Sequence, residues 1–241
     1  MTKSVKYGTI ELTKSVNSIV PGGCLEISGK FLNLDTEKQK KIRKAALKEF
    51  TANGYEDAST NRIVGKAGIS KGSLFYYFET KQELYKYLIE YSLNFITKEF
   101  LNKVDEKEER DLIEKYRKMS KLKLQAYNKN PDVFNFLGTI YVNDENSELP
   151  EELLSRTERI KKQIISGFNK NVDTSLFRQD ISPDRIIKLI SWSMEGYERE
   201  LISKLKGKMI AEIEFEPYWD EFHDFLDLLK KIYYRQEMIG R

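Results

Sequence analysis

A chain of 241 residues with 40% hydrophobic content can bury the core of one large or two modest domains. Cys24 is the only cysteine, which excludes an intrachain disulfide framework and suits a reducing, cytoplasmic setting. No apolar run approaches the roughly 18 residues of a membrane span and the first residues lack a signal-peptide core, so no membrane partner is expected. The net charge of +3 says little by itself, but its distribution does. Lys and Arg stand 4 against 3 Asp and Glu over residues 1–35, 10 against 6 over 36–83, and 27 against 29 thereafter. The excess of cations falls where a polyanion would sit.

Residues 1–34 do not read as helix. KYGTIEL, SIVPGGCLEI and SGKFLNL are short, broken apolar runs punctuated by Pro21, Gly22, Gly23 and Gly29. A flexible extension over 1–35 is expected, with a small hairpin or a DNA-contacting arm bearing Lys3, Lys6, Lys14 and Lys30 as the alternatives.

A first helix is predicted from Thr36, which makes a T-x-x-Q capping box with Gln39, to near Asn53 and Gly54. Ile42, Ala45, Ala46, Glu49 and Phe50 share its inner face, and six Lys and Arg side chains crowd the other. Over Thr60 to Leu84, TNRIVGKAGISKGSLFYYFETKQEL, two short helical patterns follow, separated by a turn at Gly68. Ser70 is placed to cap the second of them, from Lys71 to about Tyr77. Helix, Gly-centred turn and helix make a helix-turn-helix, whose second member fits the DNA major groove. Lys71, Gly72 and Ser73 occupy the turn that meets base edges, Tyr76 and Tyr77 can reach phosphates, and Thr80 with Glu83 forms a capping box for a further helix. Lys81, on that helix's first turn, adds to its positive end as a second phosphate anchor.

The run GISKGSLFYYFETKQEL resembles the DNA-binding signature of TetR-family transcriptional repressors, with FTANGYEDAST upstream of it. Phe75 stands where many members carry Tyr. The resemblance covers about Thr36 to Leu84 and implies an all-α fold: a three-helix DNA-binding head at 36–83 and a helical effector-binding and dimerisation body at 84–241. The candidate contacts to a double-stranded operator are Thr60, Arg62, Ser70, Lys71, Gly72, Ser73, Tyr76, Tyr77 and Lys81.

The helix from Thr80 carries Leu84, Tyr87, Leu88, Tyr91 and Phe95 and is predicted to run to about Val104, joining head to body. Further helices are predicted at 108–129, 131–143, 150–171, 182–206 and 217–238, with Pro131, Pro150, Pro183 and Pro217 at or near their starts. The body is rich in aromatic residues. Core packing accounts for each singly, while the resemblance implies an effector cavity, for which Phe134, Phe136, Phe168, Trp192 and Tyr197 are the candidates, with Gly138 and Gly196 among its lining. Glu195 and Glu198 would meet a cationic ligand if they faced inward. Stripes on the two helices at 182–206 and 217–238 exceed what one face of an isolated helix needs. They nominate Ile190, Met194, Phe222, Phe225 and Leu229 for the four-helix interface that TetR-like proteins use to form a homodimer.

Nothing marks a catalytic site. His223 with Asp220 makes D-x-x-H, but no second copy or cysteine pair completes a metal site, and no P-loop, G-x-S-x-G or Rossmann glycine pattern occurs. The reading is a repressor with no cofactor, released from its pseudo-palindromic operator by a small, largely apolar ligand. The alternative is a helical interaction protein that uses DNA only as a scaffold.

Overall fold

The computed structural model describes residues 29–100, 103, 109–142, 155 and 170–238. Among them the helices are α1 (Thr36–Asp57), α2 (Thr60–Ala67), α3 (Lys71–Phe78), α4 (Lys81–Glu99), α5 (Leu112–Lys129), α6 (Pro131–Val142), α7 (Pro183–Leu205) and α8 (Glu216–Tyr233). The only extended pairing among the described residues is a single antiparallel bridge, Phe177 with Tyr234. The fold is all-α. The helix expected at 150–171 lies outside the described residues except at positions 155, 170 and 171, as do Cys24 and most of the N-terminal extension.

The head is held in shape by its caps. Asp35, not Thr36, caps α1: its Oδ2 accepts from Lys38 N at 3.2 Å. A carboxylate is the stronger acceptor and also complements the helix dipole, so it displaces the hydroxyl one residue on. Gln39 then reaches back, donating to the carbonyls of Leu32 and Leu34 at 3.0 and 2.9 Å. The expectation of a non-helical extension fails at its end, because residues 29–32 are helical and Phe31 is fully buried. Its ring meets Phe78 at 4.8 Å, Tyr87 at 5.2 Å and Tyr77 at 6.0 Å. Two apolar residues, Phe31 and Leu32, are too short a pattern to announce a helix.

Gly54 breaks α1 where the sequence placed its end, at φ 67° and ψ −175°, and helical turns resume up to Asp57. Ser59 Oγ caps α2, and Gly68 closes it at φ 68° and ψ 37°, the left-handed conformation that favours glycine. Ser70 Oγ accepts from Ser73 N at 3.0 Å to start α3, and Thr80 Oγ1 accepts from Glu83 N at 3.1 Å to start α4. The Glu83 carboxylate does not complete a box here but pairs with Lys86 at 3.1 Å. Ile42, Ala46, Phe50, Ile63, Leu74, Phe78, Leu84 and Leu88 form the core beneath these helices.

Instead of running to Val104, α4 stops at Glu99: Phe100 leaves helical geometry and is itself buried. Phe136 of α6 enters the head core from the body, meeting Tyr85 at 5.5 Å and Phe50 at 6.3 Å. In the body, α5, α7 and α8 enclose Leu112, Ile113, Ile186, Ile190, Leu226 and Leu229 together with Phe177 and Tyr234. Asp111 fastens the start of α5 to the end of α8, accepting from Tyr234 Oη at 2.7 Å and pairing with Lys230 at 3.0 Å. Among the described residues no helix is long and apolar enough to cross a membrane.

Candidate nucleic-acid interface

The turn between α2 and α3 leaves the first turn of α3 outward. Ser70, Lys71 and Gly72 are exposed, Ser73 is half-buried with its hydroxyl 2.8 Å from that of Ser70, and Tyr76 is 61% exposed, an unusual position for a ring on a packed helix. Leu74 and Phe78, on the opposite face, are buried. A Cβ added at Gly72 would meet only Ser70 Oγ at 3.9 Å, so nothing inside the fold requires glycine there. Lys30 places its ammonium 5.2 Å from the centre of the Tyr76 ring, which brings the described end of the N-terminal extension to this same face. Tyr77 is half-buried between Phe31 and Tyr76, and Thr60 is half-buried on the first turn of α2.

Two of the expected DNA contacts are committed elsewhere. Arg62 donates to buried Glu49 at 2.6 Å and to the Asp57 carbonyl at 2.8 Å. Desolvation pushes the Glu49 carboxyl up, but hydrogen bonds from Ser59 N, Arg62 and Lys66 outweigh it and hold its pKa below the ordinary value. The cluster thus ties the start of α2 to α1. Lys81, expected on phosphate, donates instead to the carbonyls of Tyr55, Glu56 and Ala58 at 2.8, 3.0 and 3.4 Å, with Tyr55's ring centre 4.6 Å away. Beyond its kink at Gly54, the end of α1 leaves these carbonyls without helical partners, and the ammonium satisfies them. Sequence reasoning saw Glu49 and Lys81 by position, but the carbonyls that claim Lys81 lie 23 to 26 residues away.

The five aromatic residues nominated for an effector cavity do not converge. Phe136 belongs to the head core, Phe134 packs between Phe95 and Tyr127, Tyr197 stacks on Phe225, and Trp192 is 54% exposed with Lys188 over its ring. Phe168 lies outside the described residues. Gly138 packs against Ile210, where a Cβ would sit 3.4 Å from its Cγ2, whereas Gly196 faces open space. Glu195 and Glu198 are exposed, and Glu198 accepts from Tyr141 at 2.9 Å. Of the nominated interface residues, Ile190 and Leu229 are buried within the chain's own core; Met194, Phe222 and Phe225 are half-buried at its edge. The periodic stripe marked the inner face of α8, and the outer face carries Leu228 and Ile232, 52% and 42% exposed. His223 Nε2 lies 3.0 Å from Ser120 Oγ.

Residues 42–88 match the sequence profile described as bacterial regulatory proteins, tetR family. Over 53 residues the chain is 40% identical to an uncharacterised HTH-type transcriptional regulator, YdgC, of Bacillus subtilis (strain 168); that stretch is 22% of this chain and 27% of the relative's length. Among solved structures, a TetR family transcriptional regulator from Chloroflexus aurantiacus J-10-FL superposes with a TM-score of 0.55 at 22% identity, over 86% of this chain and 98% of the other. A TetR-like transcriptional regulator from Rhodococcus sp. RHA1 does so with 0.55 at 18% identity, over 85% and 97%. At these identities the structures bear on the fold alone, and they define an all-helical protein with a helix-turn-helix head on a helical body. The match over residues 42–88 makes that segment a TetR-family DNA-binding head.

Proposed function

We propose that the chain is a cytoplasmic one-component transcriptional repressor that binds a pseudo-palindromic operator as a homodimer and is released by a small effector. Residues 36–83 act as the DNA-binding unit, 84–241 as the sensing and pairing unit. The observation that carries the DNA reading is the first turn of α3: exposed Ser70, Lys71 and Gly72, a glycine the fold itself does not need, and a tyrosine held out in water one turn on. Glycine there lets a base edge or phosphate approach the backbone. With Arg62 and Lys81 engaged inside the head, the contacts fall to Thr60, Ser70, Lys71, Gly72, Ser73, Tyr76 and Tyr77. Lys30 of the preceding segment joins them.

Duplexes selected from a random pool by the full chain test this reading through fluorescence anisotropy. Tyr76→Phe is expected to weaken selected and random duplexes alike, because a phosphate contact carries no base information, while Ser73→Ala alters which sequence is preferred. Selection that enriches no sequence overturns the operator reading. The dispersal of the aromatic candidates favours a second reading, a regulator whose output is set by a protein partner without an effector. A small molecule that raises the melting temperature saturably and weakens operator binding decides for the sensor.

A further inference from the structure

Three helices of the body bring polar side chains to one place. On α7, Ser191, Glu195 and Glu198 follow one another at spacings of four and three and so share a face. On α5, Tyr116 and Lys123 lie two turns apart on the side turned to that face. Tyr116 shares a hydrogen bond with Ser191, and burial, with the Glu195 charge close by, pushes its hydroxyl up to about 12. Two turns on, Glu198 lies near Lys123 and accepts from Tyr141 of α6 at 2.9 Å. Lys123 is accessible to solvent, yet desolvation lowers its pKa against the pull of Glu198. A charge at once accessible and desolvated stands in a recess and not on an open face. Neither Lys123 nor Glu195 makes a hydrogen bond or ion pair among the described residues, so the recess holds an ammonium and a carboxylate that nothing answers directly.

We propose that this recess between α5, α6 and α7 takes a small zwitterion, its anionic group on Lys123 and its amine on Glu195. The proposal rests on the effector reading and gives that effector a chemical class, with a polar lining in place of the dispersed aromatic one. A ligand carrying only a cation would leave the Lys123 ammonium desolvated and add a like charge to the recess. One carrying only an anion would meet Glu195 and Glu198. A molecule with both charges answers each end in sign, and each ion of the recess gains a charge-assisted hydrogen bond in exchange for the water it has lost. Glu198 stays with Tyr141, which leaves Glu195 as the acceptor for the amine. Glu195 stands beside Tyr116, and Lys123 follows Tyr116 by about 10 Å along α5. That separation suits a chain whose charges lie several bonds apart, as in an ω-amino carboxylate, better than an α-amino acid.

Thermal unfolding of the full chain with ε-aminocaproate, hexylamine and caproate, three probes of one chain length, tests the charge pattern. The aminocaproate is expected to raise Tm saturably, by about 3–5 °C at ten times its Kd, and to bind at least about tenfold more tightly than either singly charged probe. Lys123→Met is expected to bring its affinity down to that of hexylamine, and Glu195→Gln to that of caproate, while both variants unfold like the wild type without ligand. Equal binding of the three probes overturns the zwitterion class, and so does the absence of any shift at about 10 mM, where even a millimolar Kd would show. Full affinity in both variants overturns the site. Operator binding measured by anisotropy in the same samples keeps the two readings apart. Aminocaproate that binds through Lys123 and Glu195 but leaves operator affinity unchanged supports the site and removes its role as sensor, whereas operator binding with no response to any probe overturns the site and leaves the DNA reading standing.

Discussion

In the head, Phe31, Phe50, Phe78 and Leu88 are all covered by the chain itself, whereas α8 of the body leaves Leu228 and Ile232 in water. The contrast extends to the charged groups. Glu49 and Lys81 are spent inside the head, each binding backbone or side chains of a neighbouring element, so that three short helices hold one shape. On the outer side of α8, Asp224 and Lys231 are exposed, in opposite halves of the helix. Helices as short as α2 and α3 are marginal alone, and their order comes from caps, Gly68 and the aromatic core under them. The head buries its aromatic core and presents one face of α3, whereas the body leaves an apolar surface on α8 uncovered.

The sharpest way to break this contrast is at Phe31, which makes residues 29–34 part of the head and not a free arm. Phe31→Ala removes a fully buried ring from between Phe78, Tyr87 and Tyr77 and is expected to cost about 3–5 kcal/mol, read as a fall in the denaturant midpoint at unchanged slope. An unchanged midpoint would show that the head is complete without that turn. The next effect is smaller and separates two roles for one lysine. Lys81→Met keeps the aliphatic stem over Tyr55 but leaves three carbonyls without their donor, at a cost of about 1–3 kcal/mol in the absence of DNA. Were Lys81 a phosphate anchor alone, the variant would melt with the wild type and lose only affinity for DNA.

How much of this could be read from the residues follows from the range over which each signal acts. Gly68, Ser70 and Thr80 act on backbone groups three or four residues away, and the structure places all three caps where the sequence does. Asp35 is equally local, but two adjacent candidates competed and the stronger acceptor took the cap. Lys81 and Arg62 look exposed and basic in the sequence, while the groups that bind them come from α1 and the turn beyond its kink. Helical periodicity shows that α8 has an apolar stripe without saying which neighbour covers it. Leu229 and Ile190 face the chain's own core, and the outward apolar face had to be read from exposure. The aromatic candidates of the body are scattered for the same reason: Phe136 and Trp192 are both aromatic, yet one is buried in the head core and the other is 54% exposed.

The smallest effect is a pH response confined to the body, since His223 is the chain's only histidine. Ser120 gives its hydroxyl hydrogen to the Arg117 carbonyl at 2.8 Å, so at 3.0 Å it accepts from His223 Nε2, which fixes the neutral ring with its proton there. Burial lowers the pKa below the ordinary 6.5, and Arg117 and Lys121 on α5 lower it further; Asp220 and Asp227 pull the other way without winning. Asp227 is itself held by Arg117 at 2.6 Å. A folded pKa below the unfolded one means that the unfolded chain binds more protons in between. The contribution to stability is therefore whole above about pH 6.5 and is lost as pH falls through that value toward the lower folded one. Between pH 7.5 and 5, the wild type is expected to lose about 1–2 °C more in Tm than His223→Gln, which cannot take up the proton. Parallel curves for the two proteins would mean that the ring titrates alike folded and unfolded, and that α5 and α8 meet at His223 without sensing acid.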